Sequence, residues 1–230
     1  MFALVNRFAG PLFIGVVAAN VFVAYAIQSA NIHELRVSLF DIGSGNAILV
    51  RGPTGSKVLI DGGSDASILR ALGKELSPFE RTLSAVIETR QNSVAIAGLT
   101  DVFKDYKVRS TFSPSSVRRG DRINLGGGAY IDVLFPDRDA SVFDDDTASL
   151  VLRVVYGKTS FLITSAAPAG VEDYLVQLDG TNLKSDVLMV GHRTKKVGTS
   201  TDFIAAVAAK YTASGAVRFV SDGVSVKTLK

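Results

Sequence analysis

The stretch FDIGSGNAILVRGPTGSKVLIDGG, residues 40–63, decides the fold of this chain. Apolar runs alternate in it with glycine-rich turns, and it ends on an aspartate, Asp61, followed by two glycines. Short apolar runs punctuated in this way are typical of antiparallel strands joined as a meander. With the preceding apolar residues included, we predict strands over 35–42, 46–51 and 56–61.

Beyond this meander, the pattern alternates between strands and helices. Helical spacing of apolar residues predicts helices over 66–76, 94–106, 169–178 and 201–210. In the second of these helices, the predicted apolar face consists of Ile96, Leu99, Val102 and Phe103. Further strands are expected over 83–88, 107–112, 129–135, 149–156, 159–164 and 186–191, with two more around 221–223. Strand-rich halves that each contain helices predict two sheets packed face to face and covered outside by helices.

The N-terminal segment has a different composition. Residues 8–27 are strongly apolar and uncharged, and a helix of 20 residues spans about 30 Å, the thickness of a bilayer core. We predict that residues 1–34 are a membrane anchor and that residues 35–230 form one domain outside the cytoplasm, because Arg7 and the start amine precede the segment. The alternative is a cleaved signal peptide with Ala24-Tyr25-Ala26 at its cleavage site, which would export the same domain.

Composition excludes several classes of site. The 230 residues include no cysteine and two histidines, His33 and His192, so disulfides and thiol nucleophiles are impossible and a zinc site would need carboxylate ligands. A formal net charge of +3 does not by itself indicate nucleic-acid binding. No P-loop or nucleophile-elbow motif occurs, and Asp144-Asp145-Asp146 lacks the spacing of a calcium loop.

Four runs, taken in order, resemble one family. Residues 40–63, GDRINLGGGAYIDVLFP (120–136), ASLVLRVVYGKTSFLIT (148–164) and SDVLMVGH (185–192) are similar to the metallo-β-lactamase-fold domain of ComEC-type competence proteins. The resemblance covers roughly residues 35–220. It implies a four-layer αββα metallo-β-lactamase-like sandwich, here preceded by an N-terminal transmembrane helix.

The resemblance breaks down at the metal-binding motif. The family reads T-H-P-D-A-D-H-I-G-G-L after the fourth strand, whereas this chain reads Thr89-Arg90-Gln91-Asn92-Ser93-Val94-Ala95 followed by Ile96-Ala97-Gly98-Leu99. A later G-D pair falls on Ser165-Ala166, and of the paired histidines His192 remains, followed by Arg193. The vestigial positions of the site are thus Asp61, Arg90, Asn92, Val94, Ala95, Ala166 and His192.

These substitutions remove the chemistry that the family site needs. Val94 and Ala95 offer no lone pairs, and Arg90 puts a permanent cation where the metal charge belongs. We therefore predict no metal, no cofactor and no catalytic residue. By family geometry Asp61 is the nearest carboxylate to Arg90, and we expect these two side chains to pair directly.

Two basic clusters raise the question of a polyanion ligand. They consist of Arg118, Arg119 and Arg122, and of Arg193, Lys195 and Lys196. Solvated loop charge is the simpler interpretation of both, with nucleic acid as the alternative.

The function predicted from the sequence is that of a membrane-anchored pseudoenzyme that binds or scaffolds a protein partner, in competence or in cell-surface assembly. The alternatives are a metal-independent or residual hydrolase or nuclease of the same fold, and a DNA-binding component of DNA uptake. A secreted form after signal-peptide cleavage is the alternative localisation.

Overall fold

The computed structural model describes residues 14–23, 33–42, 45–90, 96–144, 147–165, 167–191 and 199–229. The chain divides into two units, residues 1–33 and residues 34–230. In the first unit, residues 14–23 are helical with exposed side chains. No helix of the described residues has the length and apolar character needed to cross a bilayer. The transmembrane helix predicted over 8–27 is therefore not shown, and its residues 8–13 and 24–27 lie outside the described residues.

The second unit is built from short strands and a few helices. Its strands are β1 (Leu35–Ile42), β2 (Gly45–Arg51), β3 (Lys57–Ile60), β4 (Thr82–Leu83), β5 (Ala85–Ile87), β6 (Lys107–Val108), β7 (Thr111–Phe112), β8 (Arg122–Gly126), β9 (Ala129–Phe135), β10 (Val151–Tyr156), β11 (Thr159–Ile163), β12 (Val187–Met189), β13 (Tyr211–Ala213), β14 (Val217–Ser221) and β15 (Val226–Leu229). Its helices are α1 (Ser67–Glu75), α2 (Leu99–Asp105), α3 (Ala169–Asp179) and α4 (Thr201–Val207), with 3₁₀ turns at Ala140–Val142 and Gly180–Leu183.

The strands form two large sheets. The first has seven strands in the order β15-β14-β1-β2-β3-β5-β7, and the second has six in the order β13-β12-β11-β10-β9-β8. β3, β5 and β7 run parallel in the first sheet, as do β11, β12 and β13 in the second, while the remaining pairs are antiparallel. The meander predicted from residues 35–61 is confirmed as β1, β2 and β3.

Three clusters of buried apolar side chains define the layers. The largest takes residues from both sheets, including Val37 and Ile60 of the first and Ile131 and Phe161 of the second, and so fills the space between them. A second cluster packs α1 and α2 on the first sheet, and a third packs α3 and α4 on the second. The αββα sandwich predicted from the sequence is confirmed.

Several predicted elements differ in detail. α2 buries Leu99 and Val102 as expected, but it is shorter than predicted and leaves Phe103 44% exposed. The strand predicted over 107–112 is two strands in different sheets, β6 and β7. The helix predicted over 201–210 ends at Val207, because Ala208 has the left-handed φ of 45° and the chain then turns into β13.

Candidate functional site

One end of the sandwich gathers the carboxyl ends of its parallel strands. β3 and β5 run in register with Ile60 beside Ile87, and β11 and β12 run with Ile163 beside Met189. The backbone N–H of Leu150, just before β10, donates to the carbonyl of the residue at position 89, just after β5, over 2.8 Å, which joins the two sheets there. We call this the cleft end. The predicted site positions Asp61 and Arg90 lie close to these strand ends.

Asp61 is a buried carboxylate at the cleft end. It follows β3, is 8% exposed, and has a left-handed φ of 58°, while its N–H donates to the carbonyl of Ile87 over 2.9 Å. Its carboxylate accepts two hydrogen bonds from one residue, Thr89: the backbone N–H donates to Oδ1 over 2.8 Å, and the hydroxyl donates to Oδ2 over 2.6 Å. Both carboxylate oxygens of Asp61 are thus engaged in holding the chain after β5.

Burial has the largest effect on the pKa of Asp61. It raises the pKa of this carboxyl to about 7, against the lowering effect of the two hydrogen bonds from Thr89 and of the positive charge of Arg90. The charge of Glu88 raises the same pKa, and burial raises the pKa of Glu88 itself. A carboxyl that titrates near neutrality in an apolar setting is suited to a structural hydrogen bond in either protonation state.

The expected pair of Arg90 with Asp61 is not formed. Thr89 holds both oxygens of the Asp61 carboxylate, and among the described residues no salt bridge joins that carboxylate to Arg90. Arg90 is half-buried and acts on Asp61 through its charge, which lowers the pKa of the carboxyl. The structure places the backbone N–H and the hydroxyl of Thr89, rather than the Arg90 guanidinium, within hydrogen-bond distance of the carboxylate.

Glycines shape the turn that carries Asp61. The N–H of Gly98 donates to the carbonyl of Gly63 over 3.0 Å. A Cβ on Gly98 would overlap the carbonyl oxygens of Gly62 and Asp65, and a Cβ on Gly62 would overlap Leu99. The chain before α2 therefore packs against the turn after β3 with no space for a side chain.

The donor set at the cleft end does not fit a divalent metal. In the part of the chain that the structure describes, no three His, Cys, Asp or Glu side chains come close enough together to hold one ion. The described motif positions offer Asp61, with its oxygens already hydrogen-bonded, and Arg90, which has no lone pair to give. The other predicted site positions, Asn92, Val94, Ala95, Ala166 and His192, lie outside the described residues.

The first basic cluster is largely paired within the domain. The Arg119 guanidinium contacts both carboxylate oxygens of Asp179, at 2.9 and 2.5 Å. Arg122 donates to Asp132 over 2.7 Å and lies 3.7 Å from the centre of the Tyr130 ring. Arg118 is exposed. The structure therefore does not bring these three arginines together as one open cationic surface, and the members of the second cluster, Arg193, Lys195 and Lys196, lie outside the described residues.

Sequence reasoning missed Thr89 as a site residue. It is almost fully buried, and it supplies both donors to Asp61 and the carbonyl that joins the two sheets. The signal was available, because Thr89 matches the first letter of the family motif, directly before the lost ligands.

Comparison with known proteins agrees with this architecture. The chain is 28% identical over 196 residues to the competence protein ComA of Neisseria gonorrhoeae, a match that covers 83% of this chain and 28% of that protein. The chain thus spans just over a quarter of the length of this curated relative. No protein-family model matches the chain.

Solved structures give the fold. A long-form RNase Z from yeast superposes with a TM-score of 0.52 at 7% identity, covering 76% of this chain and 34% of that one. The Rm3 metallo-β-lactamase superposes with a TM-score of 0.48 at 14% identity, covering 71% of this chain and 80% of that one. The domain has the metallo-β-lactamase fold and resembles ComEC-type competence proteins, with the family's metal-binding motif degenerate in its sequence.

Proposed function

We propose that residues 35–230 are a catalytically inactive, ComEC-like domain that binds or scaffolds a protein partner. The residue at the first ligand position of the motif carries this proposal: Arg90 directly follows Thr89, and its guanidinium is a permanent cation with no lone pair to give. A hydrolytic metal centre needs three or more lone-pair ligands for each ion and an open position for water. The sequence places Asn92, Val94 and Ala95 where the other ligands of the motif belong.

Elemental analysis of the purified protein tests the loss of the metal site. After dialysis we expect no stoichiometric zinc or manganese and no nuclease or phosphodiesterase activity. The matched control is a variant in which the motif is rebuilt by Arg90→His, Asn92→Asp, Val94→Asp, Ala95→His, Ala166→Asp and Arg193→His. This variant should gain bound zinc, because it restores the lone-pair ligands that the family motif supplies.

Two results would contradict inactivity. The first is about one bound ion per chain in the unaltered protein. The second is hydrolysis by the unaltered protein that persists in a chelator, which would favour the metal-independent hydrolase instead. A rebuilt variant that folds and still binds no zinc would instead show that the family alignment of these positions is wrong.

We also propose that residues 8–27 tether the domain to a membrane, outside the cytoplasm, in competence or in cell-surface assembly. The segment is uncharged. Within it, the helical residues 14–23 expose large apolar side chains, among them Ile14, Val21 and Phe22. An exposed apolar surface of this kind is stabilised when it leaves water. The curated relative is named a competence protein, which supports the process proposed here.

Protease added to intact cells tests this topology. The domain should be digested from outside, and the full-length mass should be recovered with the membrane fraction. A mature N-terminus at Ile27 would establish the cleaved signal peptide instead. A domain that resists external protease, but is digested after the cells are lysed, would contradict both export models.

A further inference from the structure

The end of the sandwich opposite the cleft end carries its own cluster of charges. At this end β1 begins, since Leu35 pairs with Ser221 at the end of β14. The hairpin between β10 and β11 lies here too, because the N–H of Lys158 donates to the carbonyl of Gly223, in the turn after β14, over 2.6 Å. We call it the hairpin end.

Three lysines line one cavity at the hairpin end. Lys158, Lys184 and Lys210 surround a space of about 290 Å³ together with Ser160, Ser185, Asp186 and Ala208. They come together because each precedes one of three neighbouring parallel strands, β11, β12 and β13. The topology of the second sheet therefore collects cations that are far apart in the sequence.

The cavity keeps an excess of positive charge, because three lysines share it with one carboxylate, that of Asp186. All three lysines are exposed, and none takes part in a salt bridge among the described residues. The carboxylate of Asp186 accepts from the backbone N–H of Ser160 over 2.9 Å. Ammonium groups that share a cavity repel one another, so an anion bound between them lowers the electrostatic energy.

Apolar side chains project from the same end. Val224 is 72% exposed in the turn next to Gly223. Phe79 is 95% exposed, and its neighbour Glu80 binds the Lys57 ammonium at the start of β3 over 2.9 Å, which places the Phe79 turn at this end. Cations and projecting apolar groups at the same end of a domain form the kind of surface that associates with anionic lipid.

The connection of the chain favours a lipid surface over other polyanions. The domain begins at this end with Leu35, and residues 28–34 can span at most about 25 Å. A bilayer that holds residues 8–27 would therefore be within reach of the hairpin end.

We propose that the hairpin end docks on an anionic bilayer, with a lipid phosphate between Lys158, Lys184 and Lys210 and with Val224 and Phe79 at the interface. The reach of residues 28–34 rests on the tether proposed above. The lysine cavity does not, because it can bind anionic lipid whether or not residues 8–27 are inserted.

Site-specific quenching in vesicles tests the docking. The chain has no cysteine, so a single cysteine at Val224 carries one fluorescent label, and a cysteine at Val142, which is 65% exposed at the cleft end, is the matched control. The full chain is mixed with phosphatidylglycerol or phosphatidylcholine vesicles that contain a head-group quencher. We expect quenching at Val224 and not at Val142, in phosphatidylglycerol only, and its loss in high salt. Replacing the three lysines by glutamine should weaken the association with phosphatidylglycerol by about a hundredfold where no tether contributes.

The outcomes separate this inference from the proposed tether. If the chain floats with both kinds of vesicle while the Val224 label stays unquenched, docking is wrong and the tether stands. If the chain floats with phosphatidylglycerol alone and the lysine-to-glutamine variant does not, the tether is wrong and docking stands. Flotation with neither kind contradicts both. A duplex DNA oligonucleotide that displaces the vesicles and needs the same lysines would make the cavity a nucleic-acid site and overturn docking.

Discussion

The two ends of the sandwich differ in how their polar groups are satisfied. At the cleft end, the buried carboxylate of Asp61 takes both of its hydrogen bonds from Thr89. At the hairpin end, Lys158, Lys184 and Lys210 share a cavity with one carboxylate, that of Asp186, and none of the three forms a salt bridge among the described residues. A group that is satisfied internally stabilises the fold, while a cluster with an excess of positive charge is available to a ligand. The comparison indicates that the polar groups of the cleft end, where the metal-binding motif is replaced, stabilise the fold. Those of the hairpin end are available to bind a ligand.

The largest effect on stability is expected from a substitution that adds a side chain where two turns of the hairpin end are in close contact. Gly157 has a φ of 57°, and a Cβ there would overlap the carbonyl oxygen of Gly223. Gly157→Ala should lower the free energy of unfolding by about 4 kcal/mol, through backbone strain and the forced displacement of the neighbouring turn. Urea unfolding measures the change.

The control for this substitution is Gly128→Ala. Gly128 also has a positive φ, 84°, but a Cβ there has open space around it. The Gly128→Ala substitution should lower the free energy of unfolding by about 1 kcal/mol, from backbone strain alone. Equal losses in the two variants would mean that the contact between the turns adds nothing to stability.

A smaller effect on stability is expected from replacing Asp61 by a residue that does not titrate. The pKa of this carboxyl is 3.8 in its ordinary state and about 7 in the folded domain. Between these pH values the native state keeps a proton that the unfolded chain has lost, so stability falls as the pH rises through this range and levels off above about 7. Asp61→Asn cannot titrate and can still bond Thr89, so it should be the more stable protein at pH 8, by about 2 to 4 kcal/mol.

Thermal or urea unfolding across pH 4 to 8 checks this prediction. The two proteins should converge in stability near pH 4, where the unfolded carboxyl is itself half protonated. Parallel pH profiles for the wild type and the asparagine variant would show that Asp61 is not the group that titrates.

Thr89→Val should have a more modest effect. It removes the hydroxyl that donates to Oδ2 of Asp61 and leaves the backbone donor in place. We expect a loss of about 1 to 2 kcal/mol. The loss should be greater at pH 8 than at pH 5, because the hydroxyl stabilises the ionised carboxyl. Thr89→Ser keeps the donor and loses only the methyl group, so it should be the more stable of the two variants, whereas a valine variant as stable as the wild type would show that the hydroxyl bond to Asp61 adds nothing to stability.

The smallest effect is expected from a chelator. Under the proposal that the domain holds no divalent ion, no metal-binding energy is linked to folding, and EDTA should leave the melting temperature unchanged. In the variant with the rebuilt motif, the same treatment should lower it. A drop in the unaltered protein would place a structural ion in the domain.

Local patterns predicted much of the fold. The glycine-punctuated runs of residues 35–61 specified β1, β2 and β3, because alternation and turn chemistry act within a few residues. β13, with only three residues and a parallel neighbour, carries no such local signal. Phe103 matched an apolar helical face yet is 44% exposed, because the packing of α2, rather than periodicity alone, decides which positions are covered.

The candidate site likewise has one feature that the sequence predicted and one that depends on the tertiary structure. The loss of the ligands is a property of residue identity, since Val94 and Ala95 have no lone pairs in any conformation. Which residue satisfies Asp61 depends on geometry, and Thr89 does so in place of the expected Arg90. The pairing of Arg119 with Asp179 likewise joins residues 60 positions apart, which no spacing rule could identify.

The sequence by itself determined most of the order of the elements and the layered architecture, because these follow from local periodicity, and its resemblance to the family implied the replacement of the metal-binding motif. Only the tertiary structure decided which polar groups are satisfied and which are left available. The lysines of the hairpin end show the reason: Lys158, Lys184 and Lys210 lie well apart in the chain, and parallel strand pairing alone brings them to one cavity.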